Sequence, residues 1–167
     1  MSVPIDWATD MLRGAYALAL HSPDTSTQNG AIVFDSDLSV LGVGWNGFTP
    51  GIEATPENLE RPRKYAFIEH AERDAIHDAH DGSNSPDSHP AVMVAAWASC
   101  ADCARAIVLS GITTLVRHDR EDVTGRWNES VEWGDEILRA GGVEIVGIKG
   151  QLGGCDPVLF GGELWAP

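Results

Sequence analysis

The sequence predicts an α/β fold, a three-layer α/β/α arrangement around a mixed five-stranded sheet. Apolar runs of strand length alternate with segments whose apolar residues recur at helical spacing. Read along the chain, the order is α-β-β-α-β-α-β-α-β, which sets helices on both faces of one sheet. The first two strands are joined by a hairpin turn, while the later ones are separated by helices. With 167 residues, 43% of them hydrophobic, the chain predicts one domain over 1–167 with a real core.

Each element has its own signal. Ile5, Ala8, Leu12, Ala15, Tyr16 and Ala19 mark a helix over 5–20, broken by His21-Ser22-Pro23-Asp24. Residues 31–34 and 38–45 read as strands joined through Asp35-Ser36-Asp37. The stretch 46–65, rich in Gly, Pro and Glu, reads as a long loop of the kind that forms functional lids. Ala71, Ala75 and Ala79 mark one face of a helix over 70–80, and 81–90 is a polar connection. The apolar run 91–97 is a strand; 103–110 is a helix stopped by Gly111; 113–117 is a strand. Val131, Ile137 and Leu138 give the inward face of a helix over 128–140, ended by Gly141-Gly142, and 143–148 is the last strand. The Gly-rich tail 149–167 reads as an arm or a subunit contact.

Charge narrows the function classes. Eleven Lys and Arg stand against 25 Asp and Glu, a net charge of −14. A field of that sign repels a phosphate backbone, so a nucleic acid polymer is disfavoured as partner. The longest apolar run, Ala91 to Ala98, is far too short to span a bilayer. Asp6 and Asp10 fall where a secretory signal would be basic and then apolar, so a cytoplasmic location with no membrane partner is expected. Three cysteines do not make a disulfide framework.

Two of those cysteines form Cys100-Ala101-Asp102-Cys103, at a helix start just after a strand. His70-Ala71-Glu72 opens the preceding helix, and 27 residues separate Glu72 from Cys100, enough for one helix, a turn and a strand. A crossover of that length brings the starts of both helices to one edge of the sheet. One imidazole and two thiolates then converge, three ligands with an open fourth position, which is the composition of a catalytic rather than a structural Zn²⁺ site. The helix dipole favours thiolates there. Glu72, two residues beyond its ligand, stands ready to take a proton from water. Taken singly, Cys-x-x-Cys could be a redox pair or half a finger, and His70 and Glu72 ordinary helix residues. Neither a thioredoxin-type context nor a second cysteine pair is present. His77 and His80 read as solvated or packing residues, with an auxiliary metal site as the lesser alternative.

The H-x-E…C-x-x-C pattern resembles that of the cytidine/deoxycytidylate deaminase superfamily, and within it the deoxycytidylate (dCMP) deaminases. The likeness runs from about Ser22 to Ile145. It includes Ser26-Thr27-Gln28-Asn29-Gly30-Ala31-Ile32-Val33, similar to S-T-x-V-G-A-x-I-V, and Gly44-Trp45-Asn46-Gly47-Phe48, similar to G-[YW]-N-G-[FM]. It also includes Lys64-Tyr65 ahead of His70-Ala71-Glu72-Arg73-Asp74-Ala75-Ile76, similar to K-Y…H-A-E-x-N-A-I. The resemblance implies the cytidine-deaminase-like fold and the hydrolytic deamination of dCMP to dUMP plus ammonia. It implies that His70, Cys100 and Cys103 hold Zn²⁺ and that Glu72 shuttles the proton to N3 of cytosine and then to the leaving amine. Asn46 would bond the sugar and the Ala71 backbone the base edge. Relatives assemble from two to six copies, so a homo-oligomer is expected, with a small pyrimidine nucleotide as the other partner.

The sequence departs from the family pattern at several positions. Ser99 replaces a proline before the first cysteine, and Asn29 replaces a common valine, placing an amide at the pocket wall. His21 stands where many relatives carry an arginine expected to help bind phosphate; Arg120 and Lys64 are candidate replacements. Arg61-Pro62-Arg63-Lys64 is the chain's basic cluster, readable equally as a solvated loop balanced by Glu57 and Glu60. Alternatives to dCMP are a modified cytosine nucleotide, a polymer-editing deaminase in which Trp127 and Trp133 stack on bases, and a non-catalytic zinc module. For both tryptophans, packing of the fourth helix is the simpler role.

Overall fold

The computed structural model describes residues 3–82, 89–119 and 128–167. Its elements are α1 (Ile5–Ala19), β1 (Gly30–Phe34), β2 (Val40–Trp45), β3 (Gly47–Phe48), α2 (Pro56–Leu59), α3 (Lys64–Phe67) and β4 (Ile68–Glu69). There follow α4 (Ala71–Gly82), β5 (Val92–Ala95), α5 (Ala101–Leu109), β6 (Thr114–His118), α6 (Asn128–Ala140), β7 (Glu144–Ile148), β8 (Val158–Phe160) and β9 (Glu163–Trp165). Five strands form one sheet in the order β2-β1-β5-β6-β7. β1 runs antiparallel to β2 and β5, whereas β5, β6 and β7 are parallel, so the sheet is mixed as predicted.

Alternation along the strands divides the core. Ile32, Phe34, Val92 and Val94 face α1 and the C-terminal segment, while Ala31, Val33, Met93 and Ala95 face α4, α5 and α6. The central strands β1, β5 and β6 are covered on both faces and buried along their whole length. That is why they read as unbroken apolar runs. β2, at the sheet edge, is exposed at Val40.

The edge strand positions α4. The outward N–H groups of Val43 and Trp45 donate to the carboxylates of Asp78 and Asp74, at 2.9 and 3.1 Å. Two acids one helical turn apart satisfy an edge that would otherwise invite another strand. The helix also lies close: a Cβ on Gly44 would stand 2.3 Å from the Ala75 nitrogen. Only glycine allows that approach, and it fixes where α4 begins.

Two sequence expectations change. The stretch 46–65 is not a bare loop. It carries α2, whose cap is the Thr55 hydroxyl accepting from the Asn58 N–H, and α3, while β3 pairs with β4 to bring its ends together just before His70. The tail 149–167, read from the sequence as an arm or a subunit contact, packs on its own chain. It folds back as the β8-β9 hairpin, with Val158 fully buried and Trp165 packed on Trp97 and His118. Gly161 and Gly162, at φ 64° and 94°, supply the turn. Arg13 holds the approach to it, donating to the carbonyls of Leu152 and Gly153. Trp133 is half exposed on α6 rather than packed inside. Among the described residues no helix is long and apolar enough to cross a membrane.

Candidate active site

The site lies where α4 and α5 begin, beside the carboxyl ends of β5 and β6, the usual crevice of an open α/β sheet. The β3-β4 ladder delivers His70, and the Ala71 N–H donates to Asn46 Oδ1 at 3.0 Å. Cys100 is the N-cap of α5 and Cys103 lies in its first turn. The backbone before Cys100 is clamped by α6: a Cβ on Gly134 would stand 2.4 Å from the Ser99 carbonyl oxygen.

His70 Nδ1 lies 3.6 Å from Cys100 Sγ and 3.4 Å from Cys103 Sγ, and the two sulfurs are 3.6 Å apart. Zinc–sulfur bonds of about 2.3 Å and zinc–nitrogen bonds of about 2.0 Å at tetrahedral angles set those edges at roughly 3.8 Å for S–S and 3.6 Å for S–N. The observed triangle matches one face of that tetrahedron. These are the only three His, Cys, Asp or Glu side chains gathered in this way among the described residues.

Electrostatics agree with a cation site. The hydrogen bond from Cys103 brings the Cys100 thiol down to about 4, against its burial. The same bond and burial push Cys103 upward, so without metal the pair holds one proton between two sulfurs. Burial opposes a charge on His70, but the Cys100 sulfur and Glu72 outweigh it and raise its pKa. Burial raises Glu72, against the pull of His70. Glu72 is 2% exposed and lines the pocket with His70 and Cys100. Its Oε2 accepts from Asn29 Nδ2 at 3.3 Å.

The pocket has a volume of about 610 Å³ and runs from His70, Glu72 and Cys100 to Arg61 and Lys64. This pattern, a buried carboxylate at a His-Cys-Cys triangle, accords with the match found for the chain. The family model for the cytidine and deoxycytidylate deaminase zinc-binding region matches residues 5–118. The chain belongs to this family.

Relatives of the deaminase agree. An Aliivibrio fischeri protein described as an uncharacterized deaminase in the luxG 3′ region is 29% identical over 143 residues, covering 83% of this chain and 91% of the relative. The deoxycytidylate deaminase of Mus musculus is 30% identical over 132 residues, covering 72% and 71%. The dCMP deaminase of cyanophage S-TIM5, crystallised with dCMP and dUMP, superposes with a TM-score of 0.68 over 88% of this chain and 100% of that one. At 22% identity that likeness establishes the fold.

The other predicted site residues fare differently. Asn46 lines the pocket, but its Oδ1 serves Ala71 and its Nδ2 donates to the Thr27 carbonyl. The Ala71 N–H is therefore spent on Asn46 rather than presented to a base edge, and the second Nδ2 hydrogen is the donor Asn46 offers. Asn29 lines the pocket; Ser99 does not, but its buried hydroxyl faces the Glu72 carboxylate and counters the rise that burial gives it. Arg120 and Trp127 lie outside the described residues. His21 is exposed against Trp45, away from the pocket lining. His77 and His80 are exposed and belong to no ligand cluster among the described residues.

The basic cluster resolves residue by residue. Lys64 is buried against Asp24, Nζ to Oδ1 at 2.6 Å. Arg63 donates to Asn58 and lies over the Phe67 ring. Arg61, donating to Ser26 Oγ at 3.0 Å, lines the pocket with no carboxylate partner among the described residues. Sequence reasoning missed the wall formed by Phe160, whose ring lies 4.6 Å from Trp97, and Arg117, bidentate to Asp135 at the end of β6. A Phe-Gly-Gly-Glu-Leu-Trp hairpin signature was there to be read for the first; a lone arginine at a strand end gave little for the second.

Proposed function

We propose that the chain is a zinc-dependent deaminase of a cytosine deoxynucleotide, converting dCMP to dUMP and ammonia. The observation that carries this is the tetrahedral-edge triangle of His70, Cys100 and Cys103 with the buried Glu72 carboxylate beside it. His70 Nδ1, Cys100 Sγ and Cys103 Sγ would hold the zinc ion. When bound, it makes water a nucleophile at neutral pH. Glu72 accepts the proton that water gives up, delivers it to N3 of the ring, and then serves the departing amine. Burial excludes bulk water from that carboxylate, and the Asn29 amide keeps it oriented.

Arg61 supplies the phosphate contact. Among the described residues no carboxylate neutralises it, whereas Lys64 is committed to Asp24 and Arg117 to Asp135 and Asp119. The name of the mouse relative and the dCMP and dUMP held by the cyanophage enzyme support a pyrimidine nucleotide. The net charge of −14 weighs against a nucleic acid polymer.

The test is ammonia release from cytosine, deoxycytidine, CMP, dCMP and 5-methyl-dCMP. The highest kcat/KM is expected for dCMP. No turnover of any pyrimidine monomer would reject the reading.

A further inference from the structure

Asn29 stands immediately before β1, with its backbone carbonyl accepting from the Asn46 N–H at 3.1 Å. Its side chain is 95% buried (5% exposed) and lines the pocket. Nδ2 donates to Glu72 Oε2, and Oδ1 has no partner. A carboxylate accepts and does not donate, so Glu72 fixes which end of the amide it faces. Oδ1 is left as a buried acceptor on a side chain that lines the pocket and touches Glu72, and such an atom carries a desolvation cost unless something donates to it.

Cytosine has one hydrogen-bond donor of its own, the 4-amino group; N3 and O2 accept. After deamination the same ring position carries a carbonyl, which also accepts. We propose that Asn29 distinguishes substrate from product: Oδ1 accepts from the 4-amino group of the cytosine nucleotide and repels the 4-carbonyl of the uracil nucleotide. The amide cannot turn to greet the product, because turning would aim Oδ1 at the Glu72 carboxylate. The residue therefore favours binding of the amine and release of the product. The inference rests on the reading of the site as a cytosine-nucleotide deaminase.

The test compares the wild-type holoenzyme with Asn29→Val and Asn29→Ala, each checked for metal content and thermal unfolding. dUMP affinity is measured by calorimetry, which needs no turnover, and the KM for dCMP by ammonia release. Loss of one neutral hydrogen bond, and relief of one acceptor–acceptor contact, each correspond to roughly 3–10-fold. In both variants dUMP binds tighter and the KM for dCMP rises, so the ratio of dUMP dissociation constant to dCMP KM falls by about 10-fold or more. A ratio within about 2-fold of wild type, in a folded and metal-loaded variant, overturns the proposal whatever happens to kcat. So does a wild-type preference for 5-hydroxymethyl-dCMP that Asn29→Val abolishes, since Oδ1 would then read the 5-substituent. A wild-type enzyme inactive on dCMP would instead refute the reading of the site, and the two failures are distinct.

Discussion

Replacing Lys64 by methionine tests whether the pocket floor is held by charge. Lys64 Nζ and Asp24 Oδ1 are 2.6 Å apart, and each side chain is only 6% exposed. The Asp24 carboxylate also accepts from the backbone N–H groups of Ser26 and Thr27, at 2.8 and 3.3 Å. Lys64→Met leaves that carboxylate buried with two neutral donors and no counter-charge. Breaking one side of a buried pair costs about 3–5 kcal/mol. For a chain of this size that corresponds to a fall in Tm of roughly 6–20 °C. Removing both charges, in Asp24→Asn with Lys64→Met, should recover at least half the loss, because no isolated ion remains. Urea and thermal unfolding of wild type, both single variants and the double variant supply the cycle. A Lys64→Met variant within about 1 kcal/mol of wild type would refute the reasoning, since that is the worth of an exposed pair.

Glu72→Gln should retain metal and fold but lose about 10²–10⁴-fold in kcat, the range of one general acid–base group; unchanged turnover would remove Glu72 from the mechanism. Arg61→Gln should raise the KM for dCMP by roughly 10-fold while leaving kcat/KM for deoxycytidine unchanged, as a charge-assisted phosphate contact requires; equal effects on both substrates would contradict the assignment. Zinc binding should be pH-dependent with a definite sign. At pH 7 Cys100, held near 4, is already a thiolate, while Cys103, pushed upward, keeps a proton that the metal must expel, and the raised pKa of His70 adds to the competition from protons. Affinity therefore falls as pH falls, and calorimetry in buffers of different ionisation enthalpy should find about one to two protons released; zero release would contradict the shared-proton pair.

The sheet was legible because its central strands are buried on both faces, which leaves runs such as Val92–Ala95 with no polar interruption. The His-Cys-Cys constellation was legible because ligand chemistry tolerates few residue types at few spacings. What escaped depends on tertiary partners. The β8-β9 hairpin reads as an arm or a subunit contact from its glycines, and its packing of Trp165 on Trp97 and His118 is what joins it to the core. Lys64 reads as a phosphate contact or a solvated charge until Asp24, forty residues earlier, comes against it. The bond from the Ala71 N–H to Asn46 Oδ1 is likewise invisible in the sequence; it arises because a helix start needs an acceptor for its first N–H groups.

The most direct measurement is elemental analysis of the purified chain beside Cys103→Ser and His70→Ala. The account predicts about one zinc per chain in wild type and Glu72→Gln, and strongly reduced metal with lost activity in both ligand variants. Full activity in wild-type protein freed of metal, or undiminished zinc in the ligand variants, would contradict it.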